Sequence, residues 1–175
     1  MRPAIFFDLT HTLLEKVNGQ YYLYSDALET LKALRERGYR LGVISNLSEE
    51  VTVDEVHSFL EECRIASFID PHLIVLSSEH PENIKKPDKR IFDRALEKSG
   101  LVKAENKAIF VTEEHEHILA ARSYGWRAIL KRNWGECQPE DEDRFGSPKA
   151  RLELRGQSSG QLCPENVIDR CFRST

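Results

Sequence analysis

The sequence predicts an α/β fold: three layers, α/β/α, around a mainly parallel, Rossmann-like sheet, with a small β-hairpin flap and no large cap domain. Three observations carry this. Strand-like and helix-like segments alternate from Ala4 to Leu130, the pattern of a parallel sheet covered on both faces. The first strand-like run, Ala4-Ile5-Phe6-Phe7, is apolar throughout, as a strand buried on both sides must be. Polar residues follow the apolar runs at Asp8, Ser45-Asn46 and Thr112-Glu113, and open α/β sheets hold ligands at the carboxyl ends of their strands.

Each element has its own signals. Ala4 to Leu9 is the first strand. Between it and the first helix, Asn18-Gly19 lies between Val17 and a tyrosine-rich run, a strong hairpin signal that places a flap over residues 14–24. Tyr21, Tyr22 and Tyr24 either line a site entrance or pack as strand aromatics. Ser25 and Asp26 open the first helix, with Glu29 spaced to close a capping box on Asp26 and Gly38 where a helix C-terminal glycine belongs. Arg40 to Ser45 is the second strand, and Ser48 caps a helix with Val51, Val56, Phe59 and Leu60 on one face. His72 to Ser77 is the third strand, and Asp88 caps a helix that Gly100 ends. Ala108 to Val111, Glu114 to Tyr124 and Arg127 to Leu130 make the closing strand, helix and strand.

In organisation, residues 1–131 form the core domain. Residues 132–161, polar and marked by Pro139, Gly146, Pro148, Gly156 and Gly160, read as an irregular loop, and residues 162–175 return toward the sheet edge through Val167-Ile168-Asp169. The 175 residues carry a net charge of −4, which argues against general nucleic-acid binding. Basic pairs such as Lys131-Arg132 read as solvated helix ends and loops. No apolar stretch is long enough to span a bilayer. Cys63, Cys137, Cys163 and Cys171 fit neither a zinc pair nor a redox motif and read as reduced thiols. With no signal-peptide pattern at the N-terminus, the expected location is cytoplasmic. Neither common phosphate-binding glycine loop occurs.

The chemistry gathers at the strand ends: Asp8 and Thr10 after the first strand, Ser45-Asn46 after the second, Lys86 before the third helix, and Thr112-Glu113-Glu114 after the fourth strand. Singly, each has a plainer explanation as a turn-capping aspartate, a helix-capping serine or a solvated lysine. Jointly they suit phosphoryl transfer to a carboxylate. The carboxylate attacks, a hydroxyl and an ammonium hold phosphate oxygens, and a divalent metal neutralises the gathering charge.

On these residues the chain resembles the haloacid dehalogenase superfamily. The matching pieces are Phe6-Phe7-Asp8-Leu9-Thr10-His11-Thr12-Leu13, Val43-Ile44-Ser45-Asn46, Lys86-Pro87-Asp88 and Val111-Thr112-Glu113. The resemblance implies that Asp8 is a nucleophile forming a phosphoaspartate, that Ser45 bonds the phosphoryl group and that Lys86 balances charge. It further implies magnesium held by Asp8, the Thr10 carbonyl, Glu113 and Glu114, with His11, Thr12 and Asn46 near the substrate.

The sequence departs from the family's Asp-x-Asp-Gly-Thr pattern by placing Thr10 where the general acid and base aspartate stands. Positioned acid–base help is typically worth ~10²–10⁴ in rate, so the expected enzyme is slow. The last motif is altered as well, with Glu113 for an aspartate and His117 near a second one. Its run Glu113-Glu114-His115-Glu116-His117 raises a transition-metal site joined by Asp8 as an alternative. A minimal cap implies an open site that takes a phosphorylated substrate on a bulky carrier, or one covered by a second copy in a homo-oligomer. Two functions are therefore expected: a slow phosphohydrolase or phosphotransferase acting through Asp8, or a degenerate relative that binds or regulates without turnover.

Overall fold

A computed structural model describes residues 3–17, 20–48, 50–79, 82, 84–104 and 107–132. Its central sheet comprises β1 (Ala4–Phe7), β4 (Arg40–Ser45), β5 (Ile74–Leu76), β6 (Ala108–Thr112) and β7 (Arg127–Leu130), with α1 (Ala27–Glu36), α2 (Val53–Glu62), α3 (Lys89–Ser99) and α4 (His115–Ser123) between them. The order is β5-β4-β1-β6-β7, and every pairing is parallel. The expected fold stands. β2 (Leu14–Val17) and β3 (Gln20–Leu23) form the antiparallel flap, pairing Leu14 with Leu23 and Val17 with Gln20.

The chain winds outward from β1 through β4 to β5, then crosses back to β6 and β7 on the other side of β1. The winding direction reverses at β1, which leaves a crevice beyond its carboxyl end, the usual ligand position in such sheets. Side-chain alternation along β1 feeds two cores. Ile5 and Phe7 pack with Leu31 of α1, Phe59 and Leu60 of α2, and Tyr21 of the flap. Ala4 and Phe6 pack with Ile91 and Phe92 of α3, Ala121 of α4, and Trp126. Both faces of β1 are thus dry, and a carboxylate following Phe7 emerges from a strand buried along its whole length.

Gly42 shows how closely these layers approach. A Cβ there would lie 2.5 Å from the Leu73 carbonyl oxygen and 2.8 Å from the Phe6 ring. Gly42→Ala is expected to destabilise the fold by about 1–3 kcal/mol, as overpacking against backbone does. Urea denaturation measures this, and an unchanged midpoint would show that the layers are looser.

Several local expectations are corrected. The second helix begins at Val53 rather than after Ser48, because Thr52 and Glu55 form the capping box. Asp26 precedes α1 without a side-chain cap bond, so the expected box with Glu29 is absent. The third strand is only Ile74–Leu76, since tight turns occupy Pro71–Leu73 and Ser77–Glu79, and Glu79 accepts the Leu76 N–H. Asp88 and Gly100 bound α3 as expected, Gly100 in the left-handed region at φ 67°. Tyr21 is a core residue rather than an entrance residue. Cys63 is disulfide-bonded rather than a reduced thiol, and the expectation for Cys137, Cys163 and Cys171 lies outside the described residues. Among the described residues no helix is long and apolar enough to cross a membrane. The expectations for the loop beyond residue 132 and for residues 162–175 lie outside the described residues.

Candidate active site

β1 is held at its end by the Asp8 N–H, which donates to the Val111 carbonyl at 2.9 Å. The chain then turns sharply around the Leu9 carbonyl, which accepts from Leu13 N at 2.8 Å and Leu14 N at 2.9 Å. His11 takes a left-handed conformation at φ 58° to complete the turn. This turn fixes Asp8, whose own Oδ1 accepts the Leu9 N–H at 2.9 Å.

The other oxygen of Asp8 is the centre of the cluster. Oδ2 is ion-paired to Lys86 Nζ, with side-chain exposures of 10% for Asp8 and 1% for Lys86. The Thr112 hydroxyl, from the end of β6, lies 3.3 Å from the same oxygen, and His117 Nδ1 lies 3.9 Å from it. Lys86 is itself clamped. Its ammonium donates to the Ile44 carbonyl at 2.9 Å, while its backbone N–H and carbonyl both bond the Asn46 side-chain amide, at 2.8 and 3.1 Å.

An ammonium removed from water costs several kcal/mol unless it is paired, so this clamp and Asp8 must be considered together. Lys86→Met is expected to cost about 3–5 kcal/mol, because it leaves the Asp8 carboxylate buried without its partner. A double-mutant cycle with Asp8→Asn, read by urea denaturation, checks it. If the double variant lost as much stability as the two singles combined, the pair would not be coupled.

Glu113 approaches from the next strand end. Thr12 Oγ1 donates to Glu113 Oε2 at 2.6 Å, and the Thr112 hydroxyl lies 3.4 Å from that same oxygen. One hydroxyl is therefore shared between the Asp8 and Glu113 carboxylates. Burial pushes the Glu113 carboxyl above its usual range; the Thr12 hydrogen bond opposes this, and the Asp8 charge adds to the rise. Burial together with the Lys86 cation holds the His117 imidazole down at about 4, against the attraction of Asp8.

The sequence-predicted set is brought together in part. Asp8 and Ser45 are buried at adjacent strand ends, Lys86 is buried in the segment leading to α3, and Glu113 reaches the same loop through Thr12. Thr10 follows Asp8, and its hydroxyl is buried without a hydrogen-bond partner. Two expected substrate contacts are already bonded within the protein: the Asn46 amide braces the Lys86 backbone, and the Thr12 hydroxyl holds Glu113. His11 is exposed beside the turn. Glu114 and His115 are exposed, so the paired-histidine metal site narrows to His117 alone.

Two residues were missed. Thr112 was recognised only as part of a strand end, yet its hydroxyl joins both carboxylates and accepts the Glu114 N–H at 3.2 Å. Lys131, read as a solvated basic residue, donates to the Thr12 carbonyl at 2.6 Å, stacks 3.6 Å from the Tyr24 ring centroid, and lies 3.7 Å from Asp26. Burial lowers its ammonium, with Asp26 opposing. Its position one residue past a strand end was the available signal. It ties the flap, the first helix and the Asp8 turn together.

Residues 5–131 match the family model described as haloacid dehalogenase-like hydrolase. A glyceraldehyde 3-phosphate phosphatase from Methanothermobacter thermautotrophicus is 35% identical over 107 residues, covering 61% of this chain and 43% of that protein. The chain spans about half the length of the curated relatives it matches. A crystal structure of an uncharacterized protein from Listeria monocytogenes serotype 4b superposes with a TM-score of 0.64 at 25% identity, over 78% of this chain and 82% of that one. A mutant of a Bacteroides thetaiotaomicron enzyme, in complex with magnesium and inorganic phosphate, shares the fold with a TM-score of 0.57 at 12% identity, over 77% and 97% of the chains.

Proposed function

The chain belongs to the haloacid dehalogenase-like hydrolases, and on that premise we propose that it is a slow phosphohydrolase or phosphotransferase working through a phosphoaspartate on Asp8. The supporting observation is the Asp8–Lys86 pair at the carboxyl end of the central strand, braced by Ile44 and Asn46. A carboxylate oxygen of Asp8 attacks phosphorus, the bond to the leaving oxygen breaks, and water later hydrolyses the acyl phosphate. Lys86 carries a positive charge at the point where phosphoryl oxygens gather. Ser45, buried at the neighbouring strand end, is the hydroxyl assigned to bond them in this reading.

The residues fit a divalent cation. Asp8, Glu113 and the Thr10 carbonyl offer oxygen donors, and the Glu113 carboxyl already feels the Asp8 charge. Among the described residues no three His, Cys, Asp or Glu side chains converge into a ready-made cage. A site of this kind keeps water and substrate phosphate as its remaining ligands, as magnesium sites commonly do. When bound, the cation supplies neutralisation of the phosphoryl charge.

Proton transfer is the weak point. The leaving oxygen needs a proton and the attacking water must lose one, and Thr10 does neither near neutral pH. Turnover should be slow for that reason, with release of the phosphoaspartate slower than its formation. The substrate class is a phosphate monoester, on a carrier large enough to suit a site covered only by the flap. Beryllofluoride with magnesium should trap on Asp8 as an acyl-phosphate mimic, read by mass and by fluorine NMR.

A second reading, a binding or regulatory module without turnover, is favoured by the orphaned Thr10 hydroxyl in place of an acid. A site that ignores beryllofluoride and has no Asp8-dependent activity would support it against the first.

A further inference from the structure

We propose that Lys131 is a positioning residue of this site: it fixes the place of the Glu113 carboxylate by holding the two threonines that meet it. The inference deepens the reading above and rests on Glu113 taking part in the Asp8 chemistry. Lys131 follows β7, an edge strand of the sheet, one residue past its end. Its backbone N–H donates to the Thr112 carbonyl at 2.9 Å, which extends the parallel pairing by one bond and pins the residue beside the end of β6. Its side chain, 17% exposed, reaches the Asp8 turn, where the ammonium donates to the Thr12 carbonyl at 2.6 Å. These are the same two residues whose hydroxyls meet Glu113 Oε2, Thr12 at 2.6 Å and Thr112 at 3.4 Å. One lysine thus spans both hydroxyl partners of one carboxylate oxygen.

The turn needs a hold from outside. The Leu9 carbonyl has two lone pairs but faces three N–H groups, Leu13 at 2.8 Å, Leu14 at 2.9 Å and Thr12 at 3.3 Å. Thr12 makes the longest of these bonds, so the turn's own hydrogen bonds restrain it least of the three. The Lys131 ammonium supplies the missing restraint at the Thr12 carbonyl. An apolar side chain could fill the same space but could not grip that oxygen. The ammonium is itself placed by the Tyr24 ring, 3.6 Å away at its centroid, and by Asp26 at 3.7 Å, so it moves with the foot of the flap and the start of α1. Placement on this scale matters to catalysis, since a misplacement of about 1 Å can cost on the order of 10²-fold in rate.

The test compares Lys131→Met, Lys131→Arg, Thr12→Val and the Lys131→Met/Thr12→Val pair in the full chain, each shown to be folded by thermal melting. Lys131→Met keeps the length of the side chain and removes its charge and donors. It should lower kcat for a phosphate monoester by about ten- to a hundredfold and change KM by less than about twofold, because the residue acts through Thr12 rather than on substrate. Lys131→Arg should restore most of that loss. Thr12→Val keeps the carbonyl and cuts the hydroxyl link, so it should cost a similar factor, and Lys131→Met added to it should cost less than about twofold more. Amide exchange at Thr12 and Leu13, read without turnover, should quicken at least about tenfold in Lys131→Met and return in Lys131→Arg. Unchanged exchange, losses that multiply in the double variant, or a loss that arginine does not rescue would overturn the proposal. Asp8-dependent turnover with multiplying losses would remove this inference and leave the phosphatase reading. Quickened exchange that arginine reverses, in a chain with no Asp8-dependent turnover, would keep the Lys131 clamp and remove the phosphatase reading instead.

Discussion

Asp8→Asn is expected to reduce phosphate-monoester turnover to background, a loss on the order of 10³-fold or more, as removal of an attacking group does. The substitution keeps the side chain's size and still offers one oxygen to the Leu9 N–H, which Asp8 Oδ1 now accepts at 2.9 Å. It removes the charge. Lys86, with 1% side-chain exposure, is then left without its counter-ion, although its bond to the Ile44 carbonyl remains. The variant should therefore be less stable, and activity must be compared at a temperature where both proteins are folded, verified by circular dichroism. Equal hydrolysis by the variant and the parent would show that Asp8 does not attack and that the cluster serves structure or binding. Lost stability with unchanged activity would identify the pair as a buried structural salt bridge.

Thr10→Asp is the complementary experiment, with a gain expected. The Thr10 hydroxyl lies buried two residues beyond the proposed nucleophile and bonds to nothing. A carboxyl group there can give a proton to the leaving oxygen and later take one from water, and such help is typically worth ~10²–10⁴ in rate. The orphaned hydroxyl means that no existing hydrogen bond is lost in the exchange. Thr10→Asn is the control, since it has the same shape and cannot transfer a proton. A rise confined to the aspartate variant would show that the chain retains the rest of a hydrolase site. No rise, with beryllofluoride still trapped on Asp8, would place the defect in the Glu113 segment instead.

These expectations draw on a site that was partly legible before any coordinates. Asp8 and Lys86 were found because each stands at a marked position: one follows an apolar run, the other precedes Pro87 and the capped helix at Asp88. Thr112 and Lys131 were not, because a threonine closing a strand and a lysine following one look like ordinary surface chemistry. Their importance comes from contacts made with residues about a hundred positions away: Thr112 with Asp8, and Lys131 with the Thr12 carbonyl. Asn46 was assigned to substrate for a related reason. Its position at a strand end was correct, but both ends of its amide are engaged by the Lys86 backbone.

By itself the sequence determined the layers, the parallel sheet and the flap, because hydrophobic period, helix-stop glycines and an Asn-Gly pair between strand-like runs are local signals that do not depend on distant partners. It also determined which carboxylate leaves the central strand. Tertiary structure alone decided what that carboxylate meets. The ion pair with Lys86, the hydroxyl shared with Glu113 and the unpartnered nitrogen of His117 arise where strand ends from remote parts of the chain converge. Side-chain direction and burial at that meeting are set by packing, which no window of sequence encodes.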